Sequence, residues 1–176
     1  MDLSDVIDRF RGPLIGLIVS WGTNYTDATE IAQDSFADAY LNRDSCRGDW
    51  QDPEVFGRWL RGIARNKFRN EWRSRNRRER RVISVDRSAL EAAANPSFQR
   101  EDERLEHLRA AIDALPAKLK QVVMMHYLEV TSVKNVAALL SVSAKTVEGR
   151  LYQARRELRR TITKTSSSWI GKAVML

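Results

Sequence analysis

The chain of 176 residues is short of several things that catalytic and secreted proteins depend on, beginning with cysteine, of which it has one, Cys46. A single thiol cannot close an internal disulfide, so a stapled secreted scaffold is excluded and a reducing compartment is expected. The apolar run Leu14 to Val19 is brief, contains Gly16, and follows the acidic stretch Asp2, Asp5, Asp8 rather than a basic one. Neither a signal peptide nor a membrane-spanning helix is expected. There is no phosphate-cradling glycine loop and no nucleophile elbow, and the two histidines, His107 and His126, lack metal-site spacing. No catalytic group, metal or cofactor is therefore expected, and an enzyme is not the favoured reading. Alternation of the strand type is nearly absent.

What is present is charge, unevenly distributed. The formal net charge is +7, with 43% hydrophobic and 30% charged residues, a soluble composition that can still build a core. Residues 1–55 carry 4 basic against 11 acidic side chains, and residues 56–81 carry 11 against 2. Residues 82–115 carry 4 against 7, and residues 116–176 carry 11 against 3. Two basic blocks thus alternate with two acidic ones, as expected if two surfaces face a polyanion and the others face something else.

Apolar spacing predicts helices throughout. Pro13 suits a first helical position, with Leu14, Leu17, Ile18 and Trp21 following at helical intervals. Asp27 and Glu30 have capping-box spacing ahead of the stripe Ala28, Ile31, Ala32, Ser35, Phe36, Ala39 and Tyr40. After a loop from Asn42 to Pro53, a third helix near Glu54 buries Phe56, Trp59, Leu60, Ile63, Ala64 and Phe68. Arg61, Arg65, Arg69 and Arg73 run beside that stripe at four-residue intervals. The pattern breaks from Val82 to about Asp102, resumes at Leu105, Leu108, Ile112 and Leu115, and continues past Pro116. The expected architecture is all-α: a helical bundle over 1–82, an acidic linker over 83–104 and a second small helical domain over 105–160. The tail 161–176 has no assigned fold.

The second domain has the spacing of a helix-turn-helix. Ala137 is small where two helices cross, a turn follows at Ser141, Val142 plugs the gap beneath it, and Val147 anchors the next helix. That helix offers Ser143, Lys145, Thr146, Glu148, Gly149, Arg150, Gln153 and Arg155 at or near its exposed end, where short side chains permit approach to a major-groove floor. The basic helix of the first domain is less decisive, because alone it suits RNA, duplex DNA or a membrane surface. Its aromatics, Phe56, Trp59, Phe68 and Trp72, are interleaved with arginines, a mixture suited to unstacked bases. Trp59 and Phe68 are expected in the core, and Trp50, in the loop, is expected to expose its ring. Glu30, Asp34 and Asp38 form an acidic row at four-residue intervals. Its self-repulsion is tolerated if a basic partner covers it, and a solvated acidic face is the equal alternative.

Three stretches carry a family resemblance. Asp27 through Tyr40 resembles the core-polymerase-binding helix of bacterial sigma factors, Phe56 through Asn66 resembles the helix that follows it, and Leu115-Pro116 through Arg155 resembles their fourth conserved region. The order, linker and short length are similar to the extracytoplasmic-function group, which keeps only the second and fourth regions. The resemblance covers residues 10 to 160. It implies that Glu30, Gln33, Asp34 and Phe36, with Asp38 completing the row, dock on the polymerase clamp. It implies that Arg61, Arg65, Asn66, Arg69, Asn70 and Arg73 meet the melted minus-ten element, and that the helix from Ser143 reads the minus-thirty-five duplex; Trp50, in the inserted loop, is a candidate to stack on an extruded minus-ten base, with folding back onto the bundle the equal alternative. Implied partners are core RNA polymerase and promoter DNA, duplex and melted, with room for an anti-sigma protein, no membrane insertion and a cytoplasmic location.

The chain departs from the family in three places. Cys46-Arg47-Gly48-Asp49 replaces the usual aromatic followed by Arg-Gly-Asp, ahead of a longer connection from Trp50 to Val55; Ser141 replaces the usual turn glycine; and Glu148-Gly149 stands where a basic residue and serine are common. The preferred promoter bases cannot be borrowed from relatives. A conventional helix-turn-helix regulator and an RNA-binding adaptor are the alternatives. The first needs only duplex binding and the second has no promoter preference.

Overall fold

The protein, represented by a computed structural model, is described for residues 3–79 and 96–173, with side chains over 4–74 and 105–163. Its elements are α1 (Leu3–Ser20), α2 (Tyr25–Leu41), a 3-10 turn (Arg43–Ser45), α3 (Pro53–Glu79), α4 (Pro96–Asp113), α5 (Ala117–Tyr127), α6 (Val133–Leu140) and α7 (Ala144–Ala173). Every element among the described residues is helical, as the apolar spacing predicts.

Several boundaries differ from the sequence expectation for identifiable reasons. α1 starts ten residues before Pro13 and runs through it. The proline removes one backbone hydrogen bond, but Val6, Phe10, Leu14, Leu17 and Ile18 are all buried on both sides of it, and that burial carries the helix across. α2 is capped by Asn24, not Asp27: the Asn24 carbonyl oxygen of the side chain accepts from the Asp27 amide at 2.9 Å. Asp27 accepts from the Asn24 side-chain amide at 2.8 Å, in a first turn where the helix dipole favours its charge. α3 begins with Pro53 at its first position and Asp52 as its cap, accepting from the Glu54 amide at 2.8 Å.

α4 begins at Pro96, inside the stretch expected to be linker, and α7 continues to Ala173, through most of the stretch left unassigned. The acidic residues 83–95 lie outside the described residues, as do the arginines Arg80 and Arg81 and the side chains of Trp169 and Ile170.

α5, α6 and α7 form the expected three-helix unit. Ser132 caps α6, and Ser141 ends it at φ 55°, ψ 50°, in the left-handed region, with its amide donating to the Ala137 and Ala138 carbonyls. Val142 then donates to the Ala137 carbonyl at 3.1 Å, closing the turn. Val147, Leu151 and Ala154 seat α7 in the core. The two halves are not separate beads. α1 packs on α5, and α3 on α6, so Phe10, Ile15 and Leu60 share one apolar core with Val122, Met125 and Leu139.

Candidate polymerase and nucleic-acid surfaces

On α2, Ala28, Ile31, Ala32, Ser35 and Ala39 are buried, which leaves Glu30, Gln33 and Asp34 on the outer face. Asp38 is placed differently: its carboxylate pairs with Lys67 of α3, 2.7 Å away. The acidic row thus keeps three members at the surface, the third of them, with 47% of its side chain exposed, paired with a lysine of the bundle. Phe36 is only 7% exposed, in keeping with its place in the apolar stripe. Its ring forms the wall of a groove of about 400 Å³ between α1 and α2, lined by Ile7, Ile15, Ala32 and Gln33 and flanked by Arg11 and Tyr40. The α2 surface thus offers an apolar slot beside two carboxylates.

α3 divides along its length. Its first two turns are buried through Phe56, Gly57 and Leu60. Arg61, expected to face nucleic acid, is half-buried and donates from Nη1 to the Leu140 carbonyl at the end of α6, at 2.8 Å. Burial, with Arg58 and Arg65 nearby, pushes its pKa down from the usual guanidinium range. Arg65, Asn66, Arg69, Asn70 and Arg73 are exposed. The surface that sequence spacing grouped therefore loses its first arginine and keeps the other five polar residues.

At the start of α3 the loop folds into a pocket of about 460 Å³ lined by Ser45, Arg47, Val55, Arg58 and Trp59. Gly48 turns the chain at φ 112°, a conformation glycine adopts without strain. Trp59 packs against the core edge, as expected, and also walls this pocket. Trp50 is half-buried and is not among the lining residues. The ring most exposed in this half is Trp72, at 50%, stacked on Phe68 with centroids 6.1 Å apart. Arg58 was not singled out from sequence; it stands next to Trp59 on the first turns of α3, and the loop carrying Arg47 folds back to the same pocket. Cys46 sits in the same loop, where burial and then Asp49 push its thiol pKa up.

α7 opens with Ser143 as its cap. Its hydroxyl accepts from the Thr146 amide at 3.1 Å and pairs with the Thr146 hydroxyl at 2.8 Å. Those two hydroxyls fix the helix start. Lys145, Glu148, Gly149 and Gln153 lie exposed along one face, joined by Tyr152, 65% exposed, and Arg156. Tyr152 was missed because its aromatic character suggests burial, although its position opposite Val147 and Leu151 places it outside. A Cβ added to Gly149 meets nothing within 4 Å, so this face is open. Arg150 is half-buried, flanking the packed stripe. Arg155 is turned back onto α5, donating from Nε to the Tyr127 hydroxyl at 2.7 Å with its guanidinium 5.9 Å from that ring.

A helix-turn-helix with an open, polar first face, joined to a helical bundle with its own basic face, defines a protein class: nucleic-acid binders that present two reading surfaces from one chain. Comparison narrows the class. Residues 6–78 match Sigma-70 region 2, and residues 105–158 match Sigma-70, region 4. The chain is 30% identical over 146 residues to the ECF RNA polymerase sigma factor SigE of Mycolicibacterium smegmatis, covering 82% of this chain and 55% of that protein. It is 24% identical over 168 residues to the ECF RNA polymerase sigma-E factor of Haemophilus influenzae, covering 89% and 85%. Among solved structures, CnrH in complex with the cytosolic domain of CnrY shares the fold, with a TM-score of 0.51, 23% identity, and coverage of 92% of this chain and 88% of that one. The chain belongs to the sigma-70 family of RNA polymerase sigma factors, in its extracytoplasmic-function group.

Proposed function

We propose that this chain binds core RNA polymerase, directs it to promoters and assists their melting, and that it does so with three surfaces. Core polymerase docks on α2, where Glu30, Gln33 and Asp34 meet basic side chains and the groove walled by Phe36 takes an apolar one. The minus-ten strand runs along Arg65, Asn66, Arg69, Asn70 and Arg73, and an extruded base enters the pocket of Arg47, Arg58 and Trp59. The minus-thirty-five duplex takes α7 into its major groove, with Lys145, Thr146, Glu148, Gly149, Tyr152 and Gln153 over the base edges and Arg150 at the flank toward a phosphate. The work is recognition rather than covalent chemistry, and it takes place in the cytoplasm, where polymerase acts. No helix among the described residues is long and apolar enough to cross a membrane.

The pocket beside Trp59 carries the reading. A duplex holds its bases in the stack, so a cavity with an aromatic wall and two arginines at the head of a basic helix suits a base that has left it. A repressor that grips closed duplex has no use for such a cavity. The two halves then divide as region 2 over residues 1–82 and region 4 over 105–160, with 83–104 joining them. CnrH binds a partner protein's cytosolic domain. An anti-sigma partner for this chain competes for the same α2 surface.

The test is run-off transcription with purified core enzyme on a genomic library, paired with binding to fork-junction DNA in high salt. Promoter-specific transcripts and salt-resistant fork binding are expected. Binding to closed duplex without either activity would return the chain to the regulator class.

A further inference from the structure

α7 carries two carboxylates among its basic residues, Glu148 and Glu157, and they are placed differently. Glu157 pairs with Arg160 at 2.9 Å, across one helical turn. Glu148 has Lys145 one turn before it, yet it is exposed and forms no ion pair among the described residues. Its position is fixed by the backbone. Val147 and Leu151, 0% and 2% exposed, hold the opposite side of the helix, and the Ser143 cap sets the first turn. Gly149 comes next. Glycine inside a helix is destabilising relative to alanine, and the chain's own packing does not ask for one here, because an added Cβ meets nothing within 4 Å. The bare backbone beside the carboxylate serves something that approaches from outside.

On the function proposed above, what approaches is duplex DNA, and against a duplex an unpaired carboxylate is unfavourable. The duplex carries one negative charge per about 1.7 Å of axis, and a side chain that only accepts hydrogen bonds gains nothing from a phosphate. That repulsion is offset only at a donor. The major-groove edges of the bases differ in this respect. Guanine presents two acceptors, N7 and O6; thymine presents the O4 acceptor and a methyl group; adenine sets the N6 donor beside the N7 acceptor; cytosine presents the N4 amino donor alone. Cytosine is therefore the one base with a donor and no acceptor at this edge. Adenine would turn the N7 lone pair toward the second carboxylate oxygen.

We propose that Glu148 is a specificity residue that selects a C·G pair in the minus-thirty-five element, its carboxylate accepting from the cytosine N4 amino group while Gly149 lets the backbone come close. The inference rests on the proposed function and deepens it, naming the base that one position of α7 selects. Selection works by exclusion as much as by attraction. Guanine, thymine and adenine each turn a lone pair toward the carboxylate, so the wrong pairs are penalised. The other polar side chains of this face, Lys145, Thr146, Tyr152, Gln153 and Arg156, all carry donors. Glu148 is the one that accepts only.

The test is a selection by holoenzyme, assembled from core RNA polymerase and the full chain, on duplexes randomised across the minus-thirty-five element, with the rest of a promoter found by run-off transcription held fixed. Wild type is expected to favour cytosine over each other base by roughly tenfold at one position. Glu148→Gln places a donor beside an acceptor, the pattern that matches adenine N6 and N7, and is expected to move that position, and no other, from cytosine to adenine. Glu148→Ala is expected to lose the preference there and to bind duplexes with the wrong pair at that position more tightly than wild type does. Because Glu148 is exposed, preferences retained at the remaining positions show that α7 is still folded in both variants. Enrichment identical in wild type and both variants, or a base other than cytosine at the position that Glu148 controls, would overturn the assignment and leave the proposed function standing. A wild-type holoenzyme that enriches no sequence would overturn the proposed function and this assignment together.

Discussion

The two long basic helices are built in opposite directions. α7 presents an open polar face in its first three turns, Lys145 to Gln153, while Val147, Leu151 and Ala154 hold the other side in the core. α3 spends its first two turns on packing, through Phe56, Gly57, Leu60 and Arg61, and exposes its polar face only from Arg65 onward. The difference follows from what each helix meets. α7 emerges from a turn at the surface, whereas the head of α3 runs into α6 of the other half. Basic charge on a helix thus marks a nucleic-acid surface only where no neighbour has already taken the arginine, and Arg61 is the case where one has.

If the halves share a core, the sharpest way to break the comparison is to damage one side and watch the other. Leu60 and Leu151 are buried on opposite sides, and Leu60→Ala or Leu151→Ala should each cost about 2–5 kcal/mol. One cooperative thermal transition, lowered by either substitution, is the expected result. Two transitions of which only one moves would show that the halves melt independently and that their contact contributes little.

The next effect in size concerns α2. Reversing Glu30 and Asp34 together to lysine should lower the association rate with core polymerase roughly tenfold, and more at low salt, with helicity retained. Asp38→Ala should act on stability instead, by about 0.2–1 kcal/mol through the lost Lys67 pair, with core binding nearly unchanged. Equal losses of binding from all three positions would restore the three-residue acidic row as a single docking surface.

What could be read from the chain alone divides along the same line. Within a helix, apolar spacing and turn chemistry are local, and the helices among the described residues, the turn at Ser141 and the open face of α7 were all accessible to it. Contacts between distant segments are not. Nothing near Arg61 in sequence announces Leu140, 79 residues away, and nothing near Asp38 announces Lys67. Gly16 interrupts the apolar run Leu14 to Val19, and nothing local shows that the α5 backbone at Met124 and Met125 lies against it. Pro13 was over-read as a helix start because the local cost of proline is plain and the burial that outweighs it is tertiary. The loop pocket was the least legible part, since Arg47 reaches Arg58 and Trp59 of α3 through irregular backbone.

On the proposed function, a smaller but more diagnostic effect separates the two helices by the state of DNA each would hold. Releasing counterions from a duplex phosphate changes the slope of log affinity against log salt by about 0.9, and from a single-strand phosphate by about 0.7. Arg150 flanks the packed stripe of α7, and Arg69 is exposed midway along the polar face of α3. Arg150→Ala should therefore flatten the slope by about 0.9 on a minus-thirty-five duplex and leave binding to single-stranded minus-ten DNA unchanged. Arg69→Ala should do the reverse, flattening the slope by about 0.7 on the single strand only. Gln153→Ala, on the open face, should instead lose about 1–3 kcal/mol of discrimination at one base pair with little change in slope. A discrimination loss from Arg150→Ala at a single base pair would move it from the flank to the groove floor. A duplex-dependent slope change from Arg69→Ala would show α3 gripping closed DNA, and the contrast between the helices would then lie only in their packing.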